Sequence, residues 1–69
     1  MEKPDMVRVE AYLRKTFNNA GIKVVPRHKK KDSAEVMIGD EYIGLIYEDK
    51  EDGDLSYNFQ MAILDIDLE

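Results

Sequence analysis

The sequence predicts an α+β fold in which one N-terminal helix packs on an antiparallel meander sheet of three to four strands. Three observations support this prediction. Apolar residues recur at three- and four-residue steps near the N-terminus, alternating apolar residues fill the later segments, and turn residues separate those segments. The 69 residues are predicted to form a single domain, 1–69, because a chain of this length has room for one small core.

The helix is predicted over about residues 4–20. Its apolar residues share one face at the helical period: Met6, Val9, Leu13, Phe17 and Ala20. Pro4 suits the first turn, where its missing N–H costs nothing, and Asp5 places negative charge at the positive end of the helix dipole. Gly21 is expected to end the helix in the left-handed conformation.

Four strands are predicted, over about residues 22–27, 33–38, 41–48 and 55–63. Gly39-Asp40 predicts a two-residue hairpin turn of type II′, and Asp52-Gly53 predicts the tip of a second hairpin. The predicted core contains residues from the helix and from every strand: Val9, Leu13, Phe17, Val24, Val36, Ile38, Leu45, Phe59 and Met61.

The alternation of apolar residues shifts by one position near the C-terminus. Leu55 to Ile63 alternate in one parity, whereas Leu64, Ile66 and Leu68 alternate in the other. Two explanations stay open, because a one-residue shift reverses the face of every side chain. Either a bulge near residues 62–64 re-aims the last strand, or that strand ends and a short extra strand forms at 64–68.

Charge divides the chain into a basic part and an acidic part. Residues 1–31 hold nine Lys/Arg and three Asp/Glu, whereas residues 32–69 hold one and twelve. The absence of cysteine fits a reducing, cytoplasmic setting. The apolar runs are much shorter than the ~20 residues of a membrane helix, so no membrane partner is expected.

The densest basic run lies between the first two predicted strands and consists of Arg27, His28, Lys29, Lys30 and Lys31. Such a run can bind the phosphates of a nucleic acid or a smaller anion, since clustered cations release counterions on binding. A solvated loop whose lysines discourage pairing at a sheet edge is the favoured explanation. Nucleic acid is not the expected partner, because a strongly acidic segment follows directly.

Catalytic and metal-binding patterns are weak. The acidic loop 48–54 does not match a calcium-binding loop, since Lys50 and Phe59 occupy two ligand positions. Asp65 and Asp67 share a face, as any solvent-facing pair on a strand does, and the single His28 has no second ligand of its kind. We therefore expect no enzyme activity, no metal and no cofactor.

One helix covers only one side of a sheet, so the other side is available to a partner. The residues predicted to bind a protein partner there are Met37, Tyr42 and Ile46, joined by Leu64, Ile66 and Leu68. The sequence thus favours a non-enzymatic protein-interaction module that uses the uncovered face or an edge strand, with self-association as one form. The alternative is anion or nucleic-acid binding by the basic run.

Several segments of the chain also resemble a known family. They are residues 32–44, 51–57 and 60–69, together with Lys3-Pro4-Asp5 and Tyr12-Leu13-Arg14. Over nearly its whole length the chain resembles a family of short bacterial proteins of unknown function. The resemblance implies a small free-standing bacterial protein and assigns no activity, cofactor or site residue.

Overall fold

The computed structural model describes the backbone of residues 1–69 and all side chains except that of Asp52. The predicted α+β architecture is confirmed, with four antiparallel strands in the order β1-β2-β3-β4. Two 3₁₀ turns, Glu51–Gly53 and Asp65–Leu68, accompany the main elements. Those elements are α1 (Lys3–Thr16), β1 (Ile22–Pro26), β2 (Ser33–Ile38), β3 (Glu41–Asp49) and β4 (Ser56–Gln60).

Helix α1 ends at Thr16, four residues earlier than the sequence predicts. The residue that takes the left-handed conformation is Asn18, with φ of 51°, and not Gly21. Asparagine tolerates this conformation better than most residues. The N–H of Asn19 donates to the carbonyl of Arg14 at 2.9 Å, which closes the helix end.

Strand β3 contains a bulge that changes which residues face the helix. Val36 pairs with Gly44, but Met37 pairs with Tyr42, so Ile43 is the extra residue. Beyond such a bulge, side chains at odd and even positions exchange the sheet faces on which they lie. Ile43, Gly44 and Ile46 therefore lie on the helix side, whereas Tyr42, Leu45 and Tyr47 lie on the opposite side.

The core lies between α1 and the sheet, and its buried members are Val9, Leu13, Ile22, Val36 and Ile46. Val9, Leu13 and Val36 confirm the prediction, and Val24 and Phe59 are partly buried against this cluster. Leu45 was wrongly predicted in the core, because the bulge turns it to the other side. Phe17, Ile38 and Met61 are more exposed than predicted. Helix α1 packs over β1 and ends at Thr16, so it does not cover these three side chains.

Strand β4 ends at Gln60, three residues earlier than predicted. Residues 61–64 have no regular structure, and Asp65–Leu68 form a 3₁₀ turn in which Asp67 accepts a hydrogen bond from the N–H of Leu64. The last strand therefore ends before the shift in alternation, which lies in the irregular residues that follow it. The extra element is a turn and not a strand, and residues 61–69 are all exposed.

Within the described residues, no helix is long and apolar enough to cross a membrane.

Candidate functional site

The sheet side opposite α1 is an open face with apolar and aromatic residues along its centre. The bulge places Tyr42 and Tyr47 on this side together, although they are five positions apart and a regular strand would put them on opposite sides. Tyr42 is 53% exposed, and its strand partner Met37 is half-buried beside it. The open face is defined by Lys23, Val25, Glu35, Met37, Tyr42, Leu45, Tyr47, Asn58 and Gln60.

The basic loop, residues 27–31, lies against one end of the open face. The guanidinium of Arg27 donates to the buried hydroxyl of Ser33 at 3.2 Å, which anchors the loop to β2. Arg27 to Lys30 border a groove of about 460 Å³ whose floor is Glu35, Tyr42 and Leu45. Lys31 is exposed and does not line this groove. Among the described side chains, none of these loop cations is held in an ion pair.

The C-terminal segment, residues 61–69, borders a second groove on the open face. This groove has a volume of about 640 Å³, and its walls include Tyr42, Leu45 and Tyr47 on one side and Ile63 and Leu64 on the other. Leu64 and Tyr42, both predicted to bind a partner, thus line the same groove. Aromatic and aliphatic side chains line most of this surface, as in many protein-binding grooves.

Three other residues predicted to bind a partner lie elsewhere. Ile46 is 2% exposed and belongs to the core beneath α1, so its placement on the open face was wrong. The bulge is the cause, because it reverses the alternation between Tyr42 and Ile46. Ile66 and Leu68 are exposed in the terminal 3₁₀ turn but border neither groove of the open face.

The two edges of the sheet differ in how their backbone groups are satisfied. At β1 the outward groups belong to Ile22, Val24 and Pro26. The Val24 N–H donates to the Glu10 carboxylate at 3.0 Å, and the Ile22 carbonyl accepts from the Arg14 guanidinium at 2.7 Å. The Ile22 N–H donates to the carbonyl of Asn19, and Pro26 has no N–H. Every outward N–H of β1 is therefore bonded or, at Pro26, absent, which leaves this edge without a free donor for an added strand.

The β4 edge is open. The Glu48 N–H donates to Asp32 on the β2 side, so its partner Tyr57 directs its own backbone groups away from the sheet. Phe59 does the same by alternation. Within the described part of the chain, no hydrogen bond satisfies the outward N–H and carbonyl groups of these two residues. The strand Ser56–Gln60 carries no charged residue, no proline and no glycine.

A groove on the helix side runs beside the same strand. Its volume is about 530 Å³, and its walls include Tyr12 and Arg8 of α1 and Tyr57 and Phe59 of β4. The Tyr57 hydroxyl is buried and forms no hydrogen bond of good geometry with a described side chain, although the Asp5 carboxylate lies close enough to raise its pKa. Burial raises the pKa of Tyr57 above its usual 10.0, and the carboxylates of Asp5 and Glu48 raise this pKa further.

We predict that Tyr57→Phe leaves the chain equally stable or stabilises it by up to about 1 kcal/mol at neutral pH, because a buried unpaired hydroxyl is removed. The raised pKa means that the unfolded chain loses this proton first, so the wild-type chain loses stability as the pH rises above 10.0. The Tyr57→Phe variant should lose less stability over this pH range, because it lacks the hydroxyl that titrates. Urea unfolding between pH 7 and 11 measures both effects, with the exposed Tyr12→Phe as control. A clear loss of stability at neutral pH would contradict the prediction.

No group of three or more metal-ligating side chains meets among the described residues. The features that do converge are two grooves that flank an uncharged, unpaired strand edge. These features can bind a polypeptide, because an added strand pairs with the edge through its backbone and places alternate side chains on the two faces.

A family model described as a protein of unknown function, DUF3126, matches residues 5–67. The chain belongs to the DUF3126 family. Searches of the curated proteins and of the solved structures found no match. The DUF3126 match covers α1 from Asp5 onward, all four strands and most of the C-terminal segment, which is nearly the whole chain.

Sequence reasoning missed several residues of this DUF3126 chain that shape the site. Leu45 and Tyr47 line the open face, and Glu10 and Arg14 close the β1 edge. A signal for the first pair was present, since Gly44 inside a strand pattern indicates a bulge. For the second pair no local signal exists, because the two side chains reach the edge only after α1 docks.

Proposed function

We propose that this chain is a non-enzymatic protein-interaction module that binds an extended segment of its partner as an added strand along β4. The observation that carries the proposal is the difference between the two sheet edges. The outward N–H groups of β1 are bonded or, at Pro26, absent, whereas no hydrogen bond among the described residues satisfies the outward N–H and carbonyl groups of Tyr57 and Phe59. Natural proteins blunt exposed edges with charges, prolines or coverage unless the edge is used.

The surfaces on either side of β4 support the same proposal. Successive side chains of an added strand alternate between the two faces of the sheet. One set would enter the helix-side groove beside Tyr12 and Tyr57, and the other would lie near Tyr47 and Gln60. The cysteine-free composition and the family resemblance lead us to place this function in the bacterial cytoplasm.

Display of random nine-residue peptides, selected on the immobilised chain, tests the proposal. We expect the selected peptides to slow hydrogen exchange at the amides of Tyr57 and Phe59, since those amides become bonded. The amide of Val24 serves as an internal control, because Glu10 already bonds it. Selected peptides that leave the exchange of Tyr57 and Phe59 unchanged, or protection of those amides in the free chain at every concentration, would refute strand addition.

The basic loop supports a second candidate function, the binding of a single-stranded nucleic acid. Arg27 to Lys30 lie beside Tyr42, so cations border an exposed aromatic ring on an open sheet face. Proteins that bind single strands combine these two features, since bases stack on aromatic rings while cations contact phosphates. The twelve carboxylates of residues 32–69 oppose this binding, which makes it the second candidate.

If this candidate is correct, Lys29→Gln with Lys30→Gln should reduce the slope of log affinity against log salt by about 1.4 for a single-stranded oligonucleotide. Fluorescence anisotropy at several salt concentrations measures the slope. Lys3→Gln with Lys15→Gln, on exposed positions of α1, is the matched control of equal charge. No detectable binding by the wild-type chain at ~50 mM salt, where phosphate contacts are strongest, excludes the function.

A further inference from the structure

We infer that the segment bound along β4 is cationic: a strand of about five uncharged residues with lysine or arginine on both sides. This inference rests on the proposed function and adds the chemistry of the partner. The first argument is composition. Residues 51–69, which contain β4, hold six carboxylates and no lysine or arginine.

The second argument is where those carboxylates lie. The strand Ser56–Gln60 has no charged residue, so the carboxylates of residues 51–69 lie before it and after it in sequence. Asp49 is the strand partner of Ser56, and Asp54 is exposed just before it. Beyond Gln60 the exposed Asp65 begins the terminal 3₁₀ turn. An added strand therefore meets an uncharged centre with carboxylates beside its Ser56 end, and an acidic C-terminal segment follows its Gln60 end after residues 61–64.

The cations close to β4 are already neutralised. Arg8, which borders the helix-side groove, forms an ion pair with Asp5 at 3.6 Å. Lys50 forms an ion pair with Glu48 at 3.4 Å. Among the described side chains, Asp54 and Asp65 have no ion-pair partner. Positive charge on an incoming strand could therefore pair with these carboxylates.

The same charges disfavour a second copy as the occupant. Antiparallel pairing of two β4 strands about Asn58 places Ser56 of one copy opposite Gln60 of the other, so the acidic residues before β4 in one copy approach the acidic C-terminal segment of the other. Two copies of residues 51–69 would bring twice the number of carboxylates together and would supply no lysine or arginine to pair with them. Like charges placed opposite each other destabilise a strand pair, so a cationic strand is favoured over self-pairing.

Three synthetic peptides test the inference. All share the centre Thr-Val-Thr-Val-Thr and carry three lysines, three serines or three glutamates at each end. We expect the lysine peptide to bind at least about tenfold more tightly than the serine peptide at ~20 mM salt, and the two to converge as salt screens the charges. The glutamate peptide should not bind. Hydrogen exchange should slow at Tyr57 and Phe59 when the lysine peptide binds.

A pair of variants separates the acidic ends of β4 from the overall negative charge. Asp54→Asn with Asp65→Asn should remove most of the preference for the lysine peptide. Asp32→Asn with Asp40→Asn removes the same charge from exposed positions away from β4 and should leave most of the preference intact. Equal effects of the two variants would mean that only net charge matters, which overturns the inference.

The remaining outcomes separate this inference from the proposed function. If the serine and lysine peptides bind equally and both protect Tyr57 and Phe59, strand addition holds and the cationic partner is wrong. If no peptide protects these amides, strand addition itself fails. If the chain alone protects them as its concentration rises, the occupant is a second copy, and the inference is overturned.

Discussion

Gly44→Ala is expected to lower the free energy of unfolding by about 3 kcal/mol, because no space exists for the added methyl group. A Cβ atom at Gly44 would clash with the carbonyl oxygen of Gln60 and would lie 2.7 Å from the ring of Phe59. The first neighbour is backbone of β4, which can move only if the strand pairing shifts. Urea unfolding followed by circular dichroism measures the loss.

Gly39→Ala is the matched comparison. Gly39 lies in the turn between β2 and β3 with φ of 60°, and no atom lies within 4 Å of the position of an added Cβ. The left-handed conformation alone costs an alanine about 1 kcal/mol. A loss at Gly44 no greater than the loss at Gly39 would show that β3 and β4 do not approach as closely as described.

Leu13→Ala is expected to cost about 3 kcal/mol, whereas Phe17→Ala should cost about 1 kcal/mol. Both residues belong to the apolar stripe of the helix. Leu13 is 6% exposed at the centre of the core, while Phe17 is 55% exposed and touches Phe59 edge-to-face, with ring centroids 6.4 Å apart. The larger side chain therefore has the smaller effect.

Thermal and urea unfolding of the two variants, compared with wild type, give both values. A cost below about 1 kcal/mol for Leu13→Ala would contradict the assignment of the core. A cost for Phe17→Ala equal to that of Leu13→Ala would show that the helix continues past Thr16 in solution and buries Phe17.

The helix, the four strands and their order follow from local patterns. The stripe through Val9 and Leu13 needs only the helical period, and the turn at Gly39-Asp40 needs only two residues. The end of the helix was predicted four residues late because the apolar stripe continues to Ala20, while the conformation of Asn18 stops the helix first. Periodicity reports which face is apolar, not where hydrogen bonding ends.

The site was less predictable, for two physical reasons. Residue alternation fixes the face of a side chain only while the strand is regular, so the bulge at Ile43 exchanged the expected positions of Leu45 and Ile46. The difference between the edges depends on the side chains of Glu10 and Arg14, which lie far from β1 in sequence. The lack of charge in Ser56–Gln60 was visible in the sequence, but its meaning required knowing which strands are edges.

The uncharged edge of β4 also determines how the purified chain will behave. Copies repel one another at neutral pH because the chain carries a net charge of −5. Near pH 4.8 the net charge vanishes, while the strand Ser56–Gln60 still has no lysine or proline to prevent stacking. Solubility should therefore pass through a minimum there, with precipitates rich in cross-β structure, and concentrated samples should keep best well above that pH.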